Sequence, residues 1–327
     1  MISLRQIYVV VFGVFFTGMV VLSGCSTSPP LRDTELVKKK TELPLDLKKT
    51  FEVQEEKEAH VAVRIQKKTK KVNKKEKKKV FEYPVRRPSW NPIYFDEKMT
   101  YEVTYFGATA AYFFLDVLPF KTINSRRVYH FRGKAKSSSV FKLFYEMDDQ
   151  VESFVDFEGV FSHRFNLTLN ESKQVRNSIE LFNSKKEETY YWDYTHAKGK
   201  QPKETKKSEK IKPFSQDLFS AIHYLRFVEF PDGGVIRFPL VTEAKNWEVE
   251  IVVQKRTTMK TPLGRRTKVV RVEVRTIKDG KIKQQGKSFI WYTDDERRIP
   301  VLIEAKVKVG TVKAALTEVQ LGHQPAL

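Results

Sequence analysis

The sequence predicts a mainly β fold: a curled antiparallel sheet or open β-barrel of about a dozen strands with one amphipathic helix, preceded by a disordered tether. Three observations carry this. From Trp90 onward, apolar and polar residues alternate with the period of a half-buried strand, as in Tyr101, Val103 and Tyr105 against Glu102 and Thr104. The alternating stretches are separated by short turn sequences such as Asn124-Ser125, Glu158-Gly159 and Asn183-Ser184. A single segment breaks the period: Leu218, Ile222 and Leu225 are spaced at four and three, as on one face of a helix.

The elements follow in order. After Gly107, residues 110–120 are almost wholly apolar apart from Asp116, which reads as a strand covered on both faces. Residues 128–133, 150–157, 161–170, 174–182 and 188–194 read as further strands. The clearest sets Phe161, His163, Phe165, Leu167 and Leu169 against Ser162, Arg164, Asn166, Thr168 and Asn170. Residues 196–212 read as a polar, Lys-rich loop. The helix follows, capped by Ser215, with Asp217 near its positive end. Strands resume at 235–240, at Trp247, Val249, Ile251 and Val253, and at Val270, Val272 and Val274. Thr261-Pro262-Leu263-Gly264 suits a type I turn and Asp279-Gly280 a tight hairpin. Residues 289–292, 301–309 and a last strand to about 316 complete a meander. The many charges on the polar faces argue against a transmembrane barrel.

The amino-terminal region has another character. An apolar run of 16 residues, Ile7 to Leu22, follows Arg5 and ends in Leu22-Ser23-Gly24-Cys25. It is shorter than the ~20 residues needed to span a bilayer. The four residues resemble the lipobox of bacterial lipoproteins, which implies cleavage before Cys25 and covalent diacylglycerol and N-acyl chains on that residue. Ser26, in place of an aspartate, resembles the sorting signal for an outer membrane anchor facing the periplasm. Between Ser26 and Val80 there are 17 cationic and 9 acidic side chains, nine of the lysines lying in residues 67–79. Such a run repels itself and stays extended, a spacer rather than a lipid-binding patch. Within it, residues 51–65 carry scattered Val and Ile able to order on contact with a partner. The expected organisation is a signal peptide (1–24), a disordered Lys-rich tether (25–89), an antiparallel β domain (90–320) and a flexible tail (321–327).

Composition narrows the chemistry. The single cysteine leaves no disulfide, so stability rests on a packed core. The net charge of +20 would suit nucleic acid, but export removes that partner and leaves anionic envelope polymers, lipids or proteins, besides the membrane reached through the anchor. The six histidines show no metal-ligand spacing, so neither a metal nor a cofactor beyond the covalent lipid is expected. Of the histidines, His163 reads as a satisfied core residue and His223 as locally hydrogen-bonded. The pairs Asp148-Asp149 and Asp294-Asp295 read as turn formers and arginine partners, Ser137-Ser138-Ser139 lacks a nucleophile elbow, and no catalytic residue is assigned. Three arginine pairs, Arg126-Arg127, Arg265-Arg266 and Arg297-Arg298, sit at or beside turns. If two or more share a rim they form an anion-binding collar; the competing reading is turn solubility.

Several stretches resemble the bacterial envelope family named domain of unknown function 3108. They are Tyr101-Glu102-Val103-Thr104-Tyr105-Phe106-Gly107; Tyr145-Glu146-Met147-Asp148-Asp149 with Glu152-Ser153; Asp217-Leu218-Phe219-Ser220-Ala221-Ile222-His223-Tyr224-Leu225-Arg226; and Trp291-Tyr292-Thr293-Asp294-Asp295 leading to Arg298-Ile299-Pro300-Val301 and Gly310. The resemblance implies a periplasm-facing β domain on secreted or lipid-anchored proteins, and it brings no catalytic residues. The layout is also similar to the open half-barrels that carry lipoproteins across the periplasm. Two functions follow as expectations. The first is a non-catalytic scaffold or binding module for an envelope partner. The second is a carrier of lipid or acyl chains, whose cavity would be lined by Tyr101, Val103, Tyr105, Phe161, Phe165 and Leu167 under a helical lid of Leu218, Ile222 and Leu225.

Overall fold

The computed structural model describes residues 43–56, 81–283, 286–307 and 309–324. The signal segment, Cys25 and the nine-lysine run lie outside the described residues. The strands fall into two meanders. The first is β1 (Gln54–Glu55), β2 (Lys98–Tyr105), β3 (Ala108–Ile123), β4 (Arg126–Ser137), β5 (Asp148–Asp156), β6 (Ser162–Glu171), β7 (Gln174–Asn183), β8 (Glu188–Ala197) and β9 (Lys203–Lys210). The second is β10 (Val235–Thr242), β11 (Lys245–Thr261), β12 (Gly264–Lys278), β13 (Lys281–Ile282), β14 (Ser288–Thr293), β15 (Pro300–Lys306) and β16 (Thr311–Gln320). Three short helices accompany them: α1 (Leu45–Phe51), α2 (Ser139–Lys142) and α3 (Ser220–Tyr224).

All strands join one antiparallel sheet in the order β10, β11, β12, β14, β15, β16, β2 and then in chain order to β9, with β1 added to β3 and β13 to β12. The last strand thus lies beside β2, with Leu316 opposite Tyr101. The free edges, β9 and β10, are strands that follow each other in the chain. Successive turns alternate between two ends. The turns β2–β3, β15–β16 and β12–β13 and the β4–β5 connection with α2 share the upper end. The turns β3–β4, β5–β6, β7–β8, β11–β12 and β14–β15 share the lower one.

What fills the curl is the connection between the two edges. Residues 211–234 leave β9, pass against the inner face and return to β10. Gln216 forms a parallel bridge with Leu240, the Ser162 amide donates to the Ser215 carbonyl, and the Asn246 side chain donates to the Lys210 carbonyl, so the open seam is laced rather than paired. At its deepest point Phe219 lies over Gly133 of β4, where an added Cβ would come within 2.9 Å of the Phe219 ring and of Val151. Glycine at 133 is what lets the ring approach the sheet. The β10–β11 turn is held the same way: Glu243 and Ala244 both adopt positive φ near 55°, costly for residues with a Cβ. The Glu180 carboxylate accepts both of their amides, at 3.0 and 2.8 Å.

Several expectations are corrected. The segment read as a helix with one apolar face contains a single turn of helix, α3, and buries Phe219, Ala221, His223 and Leu225. A segment enclosed by the barrel has no solvent face to keep polar. The amides of Phe219 and Ser220 at its start donate to the Asp217 carboxylate and not to Ser215, whose hydroxyl instead donates to the Lys212 carbonyl. The polar loop of 196–212 contains β9, an edge strand of sequence KETKKSEK. Lysines on an edge discourage pairing with other chains and erase the apolar alternation. β3 is buried on one face only, with Tyr112 exposed. Part of the expected tether is docked: Leu43, Leu47, Phe51 and Val53 pack with Ile123, Val128, Phe154 and Leu181 in a second cluster on the outer face. β1 occupies the edge of β3 left free because β2 begins opposite Asp116. Residues 81–90 are tied down as well, with Tyr83 stacked on Phe161 and the Arg86 amide donating to Glu158. In the expected tail, His323 bridges to Phe95.

Candidate functional site

The expected cavity residues fall into two groups. Tyr101, Val103, Phe161, Phe165 and Leu225 are buried by protein atoms, and the Tyr101 hydroxyl donates to the Pro300 carbonyl at 2.7 Å. Tyr105, Leu167, Leu218 and Ile222 are half-buried. Among them run two polar networks. Asp217 accepts from the Ser153 and Ser162 hydroxyls, each at 2.5 Å, and from the amides of Phe219 and Ser220, both at 2.7 Å. Burial raises its pKa against the pull of those four donors. At the lower end Arg226 forms a fork to Glu97, at 2.5 and 3.0 Å, and donates to the carbonyls of Pro92 and Arg297. Both partners of that pair are fully buried. His223 is stacked on Phe131 at 3.8 Å, and neither ring nitrogen has a hydrogen-bond partner among the described residues, which corrects the expected local bond. Burial, and then Arg226, hold it neutral.

All three arginine pairs lie at the lower end. The fold consumes most of them, which corrects the idea of a free collar. Arg126 forks onto Asp156, which also takes His163 at 3.0 Å. Burial alone would favour the neutral acid at Asp156, but Arg126 and His163 hold its pKa well below the ordinary carboxylate range. Arg127 pairs with Glu56 and lies 3.9 Å over Phe120. Arg297 pairs with the buried Glu97 and covers Tyr94, while Arg298 lies over Phe230. Of the six, Arg265 and Arg266 alone have no partner among the described residues. They sit on the tip of the β11–β12 hairpin, which overshoots its neighbours: β10 starts opposite Val252 and β14 ends opposite Val269. Residues 251–272 contain no acid. Lys255, Lys260, Arg265, Arg266 and Lys268 have no ion-pair partner among the described residues, whereas Arg256 is held by Asp232 and Asp294.

Two further features were missed by sequence reasoning. A pocket of about 370 Å³ lies beside the end of α1, lined by Tyr83, His163, Lys185 and Lys186 among others. Leu43, Leu47 and Phe51, spaced at four, were the signal that α1 would dock and build its wall. At the upper end, Val140, Leu143 and Phe144 are exposed. Their signal was Val140-Phe141-Lys142-Leu143-Phe144-Tyr145, an apolar run between two strands that fits neither period.

Residues 100–317 match the family described as protein of unknown function (DUF3108), and the chain belongs to that family. Two of the stretches that carried the resemblance tie the inner segment to the sheet: Asp217 meets Ser153, and the Tyr292 hydroxyl donates to the Ile222 carbonyl, while Arg226 reaches Glu97, which lies outside them. No curated protein matches. Among solved structures, the chain is similar to a β-barrel-like protein of the DUF1849 domain from Brucella abortus (12% identity, 69% of this chain and 97% of the other, TM-score 0.44). It is also similar to a protein from Bacteroides fragilis described as exported, with a YmcC-like fold (10%, 69% and 98%, 0.33). A third, described as a lipoprotein, comes from Parabacteroides distasonis (10%, 73% and 100%, 0.32).

Proposed function

We propose that this chain is a lipid-anchored envelope protein, held at the outer membrane through Cys25 and facing the periplasm, whose non-catalytic β domain is a binding module for an anionic envelope partner. The observation that carries the partner's chemistry is the β11–β12 ribbon: five cations without ion-pair partners among the described residues, on an overhanging hairpin with no acid in residues 251–272. Guanidinium and ammonium groups grouped without compensating carboxylates favour a polyanion and lose that preference as salt rises. The anchor rests on the lipobox resemblance, and alkyne fatty-acid labelling that persists in Cys25→Ala would refute it. For the ribbon, binding of dextran sulfate should fall about tenfold or more in Arg265→Ala/Arg266→Ala/Lys268→Ala, at about 1 kcal/mol per cation at an anionic surface. Unchanged binding would reject the ribbon as the contact. The carrier reading is favoured by one observation, the half-buried Tyr105, Leu167, Leu218 and Ile222.

A further inference from the structure

The upper end of the barrel has a surface that the ribbon does not explain. Five large apolar side chains stand there on three separate connections: Phe106 on β2–β3, Val140, Leu143 and Phe144 around α2, and Val309 on β15–β16. Phe144 is 80% exposed, Leu143 81% and Phe106 68%. The three connections are neighbours. The Tyr105 hydroxyl donates to the Val309 carbonyl at 2.6 Å, and the Phe106 ring lies against Gly310. The Ser138 hydroxyl and amide donate to the carbonyls of Thr109 and Ala110, fixing α2 beside the β2–β3 turn.

The exposure is built in. Ser138 caps α2 by accepting the Phe141 amide, and the turn it starts directs Phe141 and Tyr145 onto the core. Val140, Leu143 and Phe144 are thereby left on the outside. Single exposed apolar residues need no explanation, but several gathered on one end do. The neighbouring turns carry Lys281, Lys283, Lys287 and Lys306, all exposed and without an ion-pair partner among the described residues. The Lys306 amide donates to the Lys287 carbonyl, which sets this fringe against the Val309 turn.

We infer that the upper rim docks on a phospholipid bilayer bearing anionic headgroups. The apolar tips are carried on separate turns at one end of the sheet. Exposed apolar tips on separate turns can each insert between headgroups, while the lysine fringe matches their charge. The 18 residues from Cys25 to Glu42 reach up to about 60 Å when extended, more than the about 40 Å length of a 12-residue strand. An anchor at Cys25 therefore leaves this end free to touch the bilayer that holds it. The inference is separate from the ribbon's polyanion, which lies at the opposite end.

The test uses the full lipidated chain in vesicles containing phosphatidylglycerol and a bilayer-embedded quencher. A fluorophore is attached at Val140→Cys, and, in a parallel sample, at Arg265→Cys; Cys25 is blocked by its own lipid. The inference expects quenching at position 140 and not at 265. It also expects the docked-to-undocked ratio at 140 to fall at least about tenfold on adding Leu143→Glu/Phe144→Glu, because those two side chains would supply most of the buried apolar area. Unaltered thermal unfolding of the double variant confirms that the barrel is intact. A label at 140 that is unquenched, quenched no more than that at 265, or indifferent to the double substitution would overturn it.

Discussion

The two ends of this barrel handle exposed chemistry in opposite ways. At the lower end charge is turned inward: Arg226, Arg297 and Glu97 form a cluster that joins the inner segment, the β14–β15 turn and Leu321 just after β16, and residues 81–90 dock at this end with Tyr83 stacked on Phe161. At the upper end the turns keep apolar side chains in water, with lysines around them. The difference teaches that a high content of cations is not one property. Arginines near the returning chain serve as internal fasteners, whereas Arg265, Arg266 and Lys268 of the β11–β12 ribbon and the lysine fringe of the upper turns have no ion-pair partner among the described residues.

The largest expected effect breaks the lower end. Arg226→Ala leaves Glu97 buried with only Arg297 to neutralise it, so urea unfolding should show a loss of about 3–5 kcal/mol. A change below about 1 kcal/mol would mean that the cluster is not what closes this end. Second comes the seam. Burial pushes the Glu180 pKa up to about 7 from 4.5, against the lowering effect of the Ala244 and Glu243 amides. A carboxyl raised in the folded state binds its proton more tightly there than in the unfolded chain. Stability from this residue is therefore fully present below about pH 4.5 and falls as pH rises through about 7. The stability difference between Glu180→Gln and the parent should shift in the variant's favour across that window, by on the order of 3 kcal/mol. A flat difference would show that the two amides cancel the effect of burial and leave Glu180 titrating as it does in the unfolded chain. The smallest effect belongs to the upper end: Leu143→Ser/Phe144→Ser should change unfolding stability by no more than about 0.5 kcal/mol. A larger loss would mean that these side chains pack on the barrel.

The strands facing the core were legible because one side of each is buried, and Tyr101/Val103 or Val270/Val272/Val274 show it directly. β9 was hidden, since an edge strand guarded by lysine has no apolar face to alternate. The inner segment was misread for the opposite reason: enclosed on nearly all sides, it shows apolar residues at several spacings, and of Leu218, Ile222 and Leu225 it is Leu225 that is buried with Phe219, Ala221 and His223, while the other two are half-buried. The arginine pairs were visible as pairs, but their partners were not. Glu97 precedes Arg297 by 200 positions, and only the placement of β16 beside β2 brings them together.

The central claim is that the barrel is filled by its own connection, so that recognition lies at its ends. Native mass spectrometry of the chain extracted from membranes in mild detergent tests it most directly. The account predicts the mass of the protein with its covalent lipid alone, and no displaceable binding of a fluorescent fatty acid. A further non-covalent lipid, lost on Leu218→Trp or Phe165→Trp, would contradict it and establish the interior as a carrier's cavity.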